Sequence, residues 1–154
     1  MLSTATPEEA TSNCPTPVYI AGPYRASTAL EVDLNVRRAC ALSQWAVRQG
    51  YAPIVVHPGV QAGAYGSDED PDERARGLAA ALCLVELVAR HPEGQLWIIL
   101  REEGSLLSPG CSAELDRYVA MSTRCGHAAR VEMRTWAHWE RAFPVDLRNA
   151  DRIQ

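Results

Sequence analysis

Val18-Tyr19-Ile20-Ala21-Gly22-Pro23-Tyr24-Arg25 is the stretch that decides the fold of this chain. Val18 to Ala21 run without a charged residue, as a strand buried in a sheet does, and Gly22-Pro23 then forces a sharp turn. A second turn of the same kind stands far downstream at Ser108-Pro109-Gly110-Cys111-Ser112-Ala113-Glu114-Leu115, where Ser-Pro marks the start of a helix. In a parallel α/β sheet such turns gather at the carboxyl ends of the strands and can face one crevice. That crevice is expected to hold Tyr19, Arg25, Ser108 and Glu114.

Between the two turns the pattern alternates. Val32, Val36, Ala39, Cys40, Ser43, Ala46 and Val47 follow helical spacing, with Arg37, Arg38, Gln44 and Arg48 on the other side and Gly50 closing the run. Ala52 to Val56 reads as a second strand. His57 to Asp72, broken by glycine and proline and then acidic, reads as a long loop. Pro71 opens the next helix, with Leu78, Ala81, Leu82, Val85 and Ala89 as its buried face, and His91-Pro92-Glu93-Gly94 stops it. Leu96 to Leu100 is an apolar third strand. A helix from about Pro109 to Thr123, a short strand around Ala129 to Met133 and a helix from about Thr135 to Phe143 complete the order. The alternation predicts one α/β domain over residues 17–154: a three-layer Rossmann/flavodoxin-like sandwich with right-handed crossovers around a parallel sheet of four or five strands.

Composition narrows the partners. A chain of 154 residues that is 47% hydrophobic can bury a core without disulfides or metal. A formal charge of −4 argues against a nucleic-acid backbone or an anionic membrane and for a small molecule. Cys14, Cys40, Cys83, Cys111 and Cys125 form no C-x-x-C pair and leave an odd one, which suits reduced thiols in a cytoplasmic protein and no zinc site. Residues 1–16 are polar and carry neither a basic n-region nor an apolar core, so they read as a disordered leader. No apolar run approaches the roughly 20 residues of a membrane span.

Tyr19-Ile20-Ala21-Gly22-Pro23-Tyr24-Arg25, the strand end Pro53-Ile54-Val55-Val56-His57 and the Ser-x-Gly-x-x-x-Glu-Leu pattern of Ser108 to Leu115 resemble the nucleoside 2-deoxyribosyltransferase-like family, which includes 2′-deoxynucleoside 5′-phosphate N-hydrolases. The likeness covers about residues 17 to 133. It implies cleavage of an N-glycosidic bond, by hydrolysis or base exchange. Glu114 would attack the anomeric carbon, a role that suits a carboxylate because the transition state there is cationic. Tyr19 would hydrogen-bond Glu114 and orient it. Ser108 stands where the nucleotide hydrolases bind phosphate, and Arg25 matches a basic residue of those enzymes. With free backbone amides around Gly110 and a helix N-terminus they would form a phosphate cradle. Gly22, Pro23 and His57 would line the crevice. The resemblance further implies no metal or organic cofactor, and a homo-oligomer, often a dimer.

One departure is visible. The family carries an aspartate in the helix before the third strand, whereas here that helix reads Arg76-Gly77-Leu78-Ala79-Ala80-Ala81-Leu82-Cys83-Leu84-Val85-Glu86. Asp68, Asp70, Asp72 and Glu73 on the loop, or Glu86, are the acids left to replace it. Without one, a non-catalytic nucleotide-binding or sensing module is the alternative. Each site residue also has a plain reading: Glu114 as a carboxylate near a helix start, Tyr19 as core, Arg25 as a solvated cation, Ser108 as a cap and His57 as structural. Cys111, in the first turn of a helix, is a rival nucleophile. Trp136, Trp139 and His138 could cover a base or a subunit contact, or pack the core.

Overall fold

Pleating sends alternate residues of a strand to opposite faces, and the first strand obeys it. In a computed structural model that describes residues 14–144, β1 (Thr16–Ala21) places Tyr19 and Ala21 in one core and Val18 and Ile20 in another. All four are buried. On the Tyr19 side the sheet is covered by α3 (Pro71–Ala89) and α4 (Pro109–Arg124), through Ala81, Val85, Val88, Tyr118 and Met121. On the Val18 side it is covered by α1 (Ala29–Arg48) and α5 (Trp136–Ala142), through Leu42, Ala46, Trp136 and Trp139. The protein is thus an α/β three-layer sandwich of the Rossmann/flavodoxin-like kind.

The other strands are β2 (Tyr51–Val55), β3 (Gln95–Leu100) and β4 (Val131–Thr135). All pair in parallel, in the order β2-β1-β3-β4. Tyr19 lies beside Ile54 of β2 and Leu96 of β3. Pro53, which cannot donate to a ladder, sits on the edge strand β2, where that loss is tolerated. The chain runs outward from β1 to β2, then returns past β1 to β3. The carboxyl ends of β1 and β3 are therefore the topological switch point, where open α/β sheets bind ligands.

Local chemistry starts the helices. Thr28 and Glu31 form a reciprocal capping box on α1, with Glu31 N donating to Thr28 Oγ1 and Thr28 N to Glu31 Oε2. Asp70 caps α3 by accepting from the N–H groups of Asp72 and Glu73, ahead of Pro71. Ser108 caps α4, ahead of Pro109.

The stretch expected to be a loop from His57 onward begins instead with the short helix α2 (His57–Gln61). In sequence Pro58 reads as a breaker, yet proline in a first turn favours a helix because its missing N–H has no partner there anyway. Leu78, expected in the core, is exposed, and Val47 likewise. β4 starts two residues later than its sequence pattern suggested. The leader expected over residues 1–16 lies outside the described residues except for its last three, of which Thr16 already opens β1. Trp136 and Trp139 pack the core, and Trp139 Nε1 donates to the Ile98 carbonyl at 3.3 Å. Among the described residues no helix is long and apolar enough to cross a membrane.

Candidate active site

At the switch point a cavity of about 240 Å³ opens between α3 and α4. Gly22, Pro23 and Arg25 enter it from the turn after β1, and His57 from the end of β2. Arg101 comes from the end of β3, and Ser108, Gly110, Cys111 and Glu114 from the start of α4. Every predicted binding residue thus lines it.

Glu114 reaches the cavity because it sits on the face of α4 that packs against β1. Tyr19, two residues before the end of β1 and pointing to the same layer, donates its hydroxyl to Glu114 Oε1 at 3.3 Å across 95 positions of sequence. Tyr19 itself is fully buried and does not line the cavity, which corrects its expected place in the crevice. It stands behind the carboxylate. Glu114 Oε2 is buried and has no hydrogen-bond partner among the described residues.

Burial dominates the electrostatics of the pair. Desolvation pushes the Glu114 carboxyl up to about 7, and the Tyr19 hydrogen bond only partly opposes it. The Tyr19 phenol is raised by its own burial and then by the Glu114 charge, so it remains a donor throughout the neutral range. Cys111 was considered as a nucleophile because a helix start can lower a thiol pKa. Burial outweighs that, and the thiol is pushed up to about 11.

His57 is buried, with Nε2 3.1 Å from the Gly22 carbonyl and its ring edge-on to Tyr24 at 6.2 Å. Burial lowers its pKa, so the neutral ring donates from Nε2 and pins the Gly22-Pro23 turn. Ser108 Oγ accepts from Cys111 N at 3.3 Å, which is the capping role. Pro109 has no N–H, and the N–H of Gly110 has no partner among the described residues. One amide of a residue that lines the cavity is therefore unspent at the positive end of α4.

Arg25 does not stand free. Its Nε lies 2.8 Å from Asp68 Oδ2, and its NH2 donates to the Asp68 carbonyl at 2.6 Å. Arg74 approaches the same carboxylate at 3.3 Å. Arg101, which sequence reasoning missed, donates to the Arg25 carbonyl at 2.6 Å and ties the turn after β1 to the turn after β3.

The acids considered as a second catalytic group separate clearly. Asp70 caps α3, and Glu73 accepts from the Ser67 N–H. Glu86 pairs with Arg117 at 2.7 Å and does not line the cavity. Asp68 does line it, held between two guanidinium groups. The α3 wall of the cavity consists of Arg74, Gly77, Leu78 and Ala81, with no carboxylate.

The chain belongs to the family described as Domain of unknown function (DUF7768), whose model matches residues 16–126, from the start of β1 to the turn after α4. No match was found among curated proteins or among solved structures.

Proposed function

We propose that this protein cleaves the N-glycosidic bond of a nucleoside or nucleoside 5′-monophosphate with Glu114 as nucleophile. The observation that carries the reading is the Tyr19–Glu114 pair: a carboxyl on the wall of the cavity, oriented through Oε1 and unsatisfied at Oε2. A desolvated carboxylate with an idle lone pair is a strong nucleophile and a close counter-charge for a cationic anomeric carbon. Oε2 forms the bond to that carbon while the carbon–nitrogen bond breaks and its electron pair leaves with the base. Water, or a second base, then displaces the carboxylate. The Tyr19 phenol holds the attacking geometry in both halves.

A 5′-monophosphate is favoured over a free nucleoside. The unspent Gly110 N–H, the Ser108 hydroxyl and the start of α4 make an anion cradle, with Arg25 and Arg101 beside it. In this reading the protein works in the cytoplasm as a homo-oligomer, with a dimer as the simplest form. It needs neither metal nor organic cofactor.

The lack of a carboxylate on the α3 wall favours a second reading, a nucleotide-binding or sensing module without turnover. Incubation with a panel of nucleosides, deoxynucleosides and their 5′-monophosphates, with free base followed by chromatography, separates the two. Release of base by the wild type and not by Glu114→Ala supports the glycosidase. Thermal stabilisation by a nucleotide without release supports the module, and neither result refutes both.

A further inference from the structure

Of the glycines within helices, where glycine is unfavourable relative to alanine, Gly59 and Gly77 both lie against one residue that sequence reasoning passed over. A Cβ on Gly59 of α2 would come within 2.7 Å of Tyr65 Cε2, and a Cβ on Gly77 of α3 within 2.6 Å of the Tyr65 carbonyl oxygen. The two bare backbones form a seat. In it the Tyr65 ring packs against the core that holds Tyr19 while the residue lines the cavity.

The segment that carries Tyr65 is tied at several points. Asp68 bridges Arg25 and Arg74, and Glu73 accepts from the Ser67 N–H. These contacts also commit the polar groups on that side of the cavity. The Tyr65 hydroxyl has no hydrogen-bond partner among the described residues. Glu114 enters from α4, and Tyr65 from the connection between α2 and α3, so the carboxyl residue and the phenol residue line the cavity from separate walls.

We propose that Tyr65 is a catalytic residue of this site, the hydrogen-bond and proton donor to the departing base. The assignment rests on the glycosidic reading above and fills the place of the carboxylate that the α3 wall lacks. As Glu114 bonds to the anomeric carbon, the electron pair of the broken carbon–nitrogen bond passes to the base, and the Tyr65 proton neutralises it. The phenolate then takes a proton from the water that displaces Glu114. One water is consumed, the base gains one hydrogen and the sugar one hydroxyl.

The test compares wild type and Tyr65→Phe, which keeps the ring in its seat, on two leaving groups. One is the best natural nucleotide of the panel. The other is the corresponding N7-methylguanine nucleotide, whose cationic base departs without a proton. The expected result is a kcat loss of about 100-fold on the natural base and less than about threefold on the methylated one, with thermal stability unchanged. Equal losses on both substrates, or no loss on either, overturn the role of Tyr65 while leaving the glycosidase intact. Failure of the wild type to cleave either substrate overturns the glycosidic reading, and this assignment with it.

Discussion

Replacing Glu114 by glutamine should make the protein more stable above neutral pH and leave it nearly unchanged in acid. The cause is the cost of holding a charge where Tyr19 supplies one hydrogen bond and Oε2 has none. Burial moves the folded carboxyl from the ordinary 4.5 to about 7, so between those values the folded state binds the proton more tightly than the unfolded chain. Stability therefore falls as pH rises through that window. Each unit is worth about 1.4 kcal/mol, which makes the loss about 3 kcal/mol. For a domain of this size that is a shift of roughly 6 to 12 °C in Tm. Glutamine does not titrate and lacks this loss. Urea unfolding at pH 5 and pH 8 provides the assay, followed by tryptophan fluorescence. Trp45, Trp97 and Trp139 stack within 5.3–6.4 Å of one another on the face of the sheet away from Glu114. His57 works in the opposite sense, since its lowered pKa adds stability as pH rises, and it cancels in the difference between variant and wild type. A difference that stays constant from pH 5 to pH 8 would refute the desolvation argument.

Tyr19→Phe should remove the one donor that opposes desolvation, shifting the rising limb of kcat/KM to higher pH and lowering kcat/KM about tenfold or more, the worth of a hydrogen bond to a charged group; an unmoved pH profile would show that the phenol does not act on Glu114. Gly110→Ala places a methyl where nothing lies within 4 Å, so the fold should be unchanged or up to about 1 kcal/mol more stable, while KM should rise for 5′-monophosphates and not for nucleosides; equal effects on both would place the phosphate elsewhere. Cys111, with its thiol pushed up to about 11, should resist iodoacetamide at pH 8 in the folded protein while exposed Cys83 and Cys125 react; peptide mass spectrometry reads the difference, and early labelling of Cys111 would contradict its burial.

What was legible in the sequence is what local chemistry determines. The Val18 to Ala21 run, Ser108-Pro109 at the start of α4, Pro71 at the start of α3 and the helical spacing between them carry element order and helix starts in neighbouring residues. The meeting of Tyr19 with Glu114 followed from parallel topology and the family resemblance together. Other features depend on contacts between distant segments. Pro58 looks alike as a breaker and as a first-turn residue, so α2 was hidden. The fate of Arg25 depended on which loop carboxylate it would meet, and that is Asp68. Helix position alone suggested a lowered thiol pKa at Cys111, but burial under the sheet reversed it. The place of Tyr65 follows from its close approach to two separate helix backbones, and its available signal was glycine at 59 and 77.

The central claim is that Glu114 bonds to the anomeric carbon. Intact-protein mass spectrometry after incubation with a 2-deoxy-2-fluoro sugar nucleotide tests it most directly, because fluorine slows the second half of the reaction and lets the glycosyl-enzyme accumulate. The account predicts a mass increase of one fluorosugar phosphate, mapped by proteolysis to Glu114. Release of base from an active enzyme with no adduct, or an adduct on another residue, would contradict it.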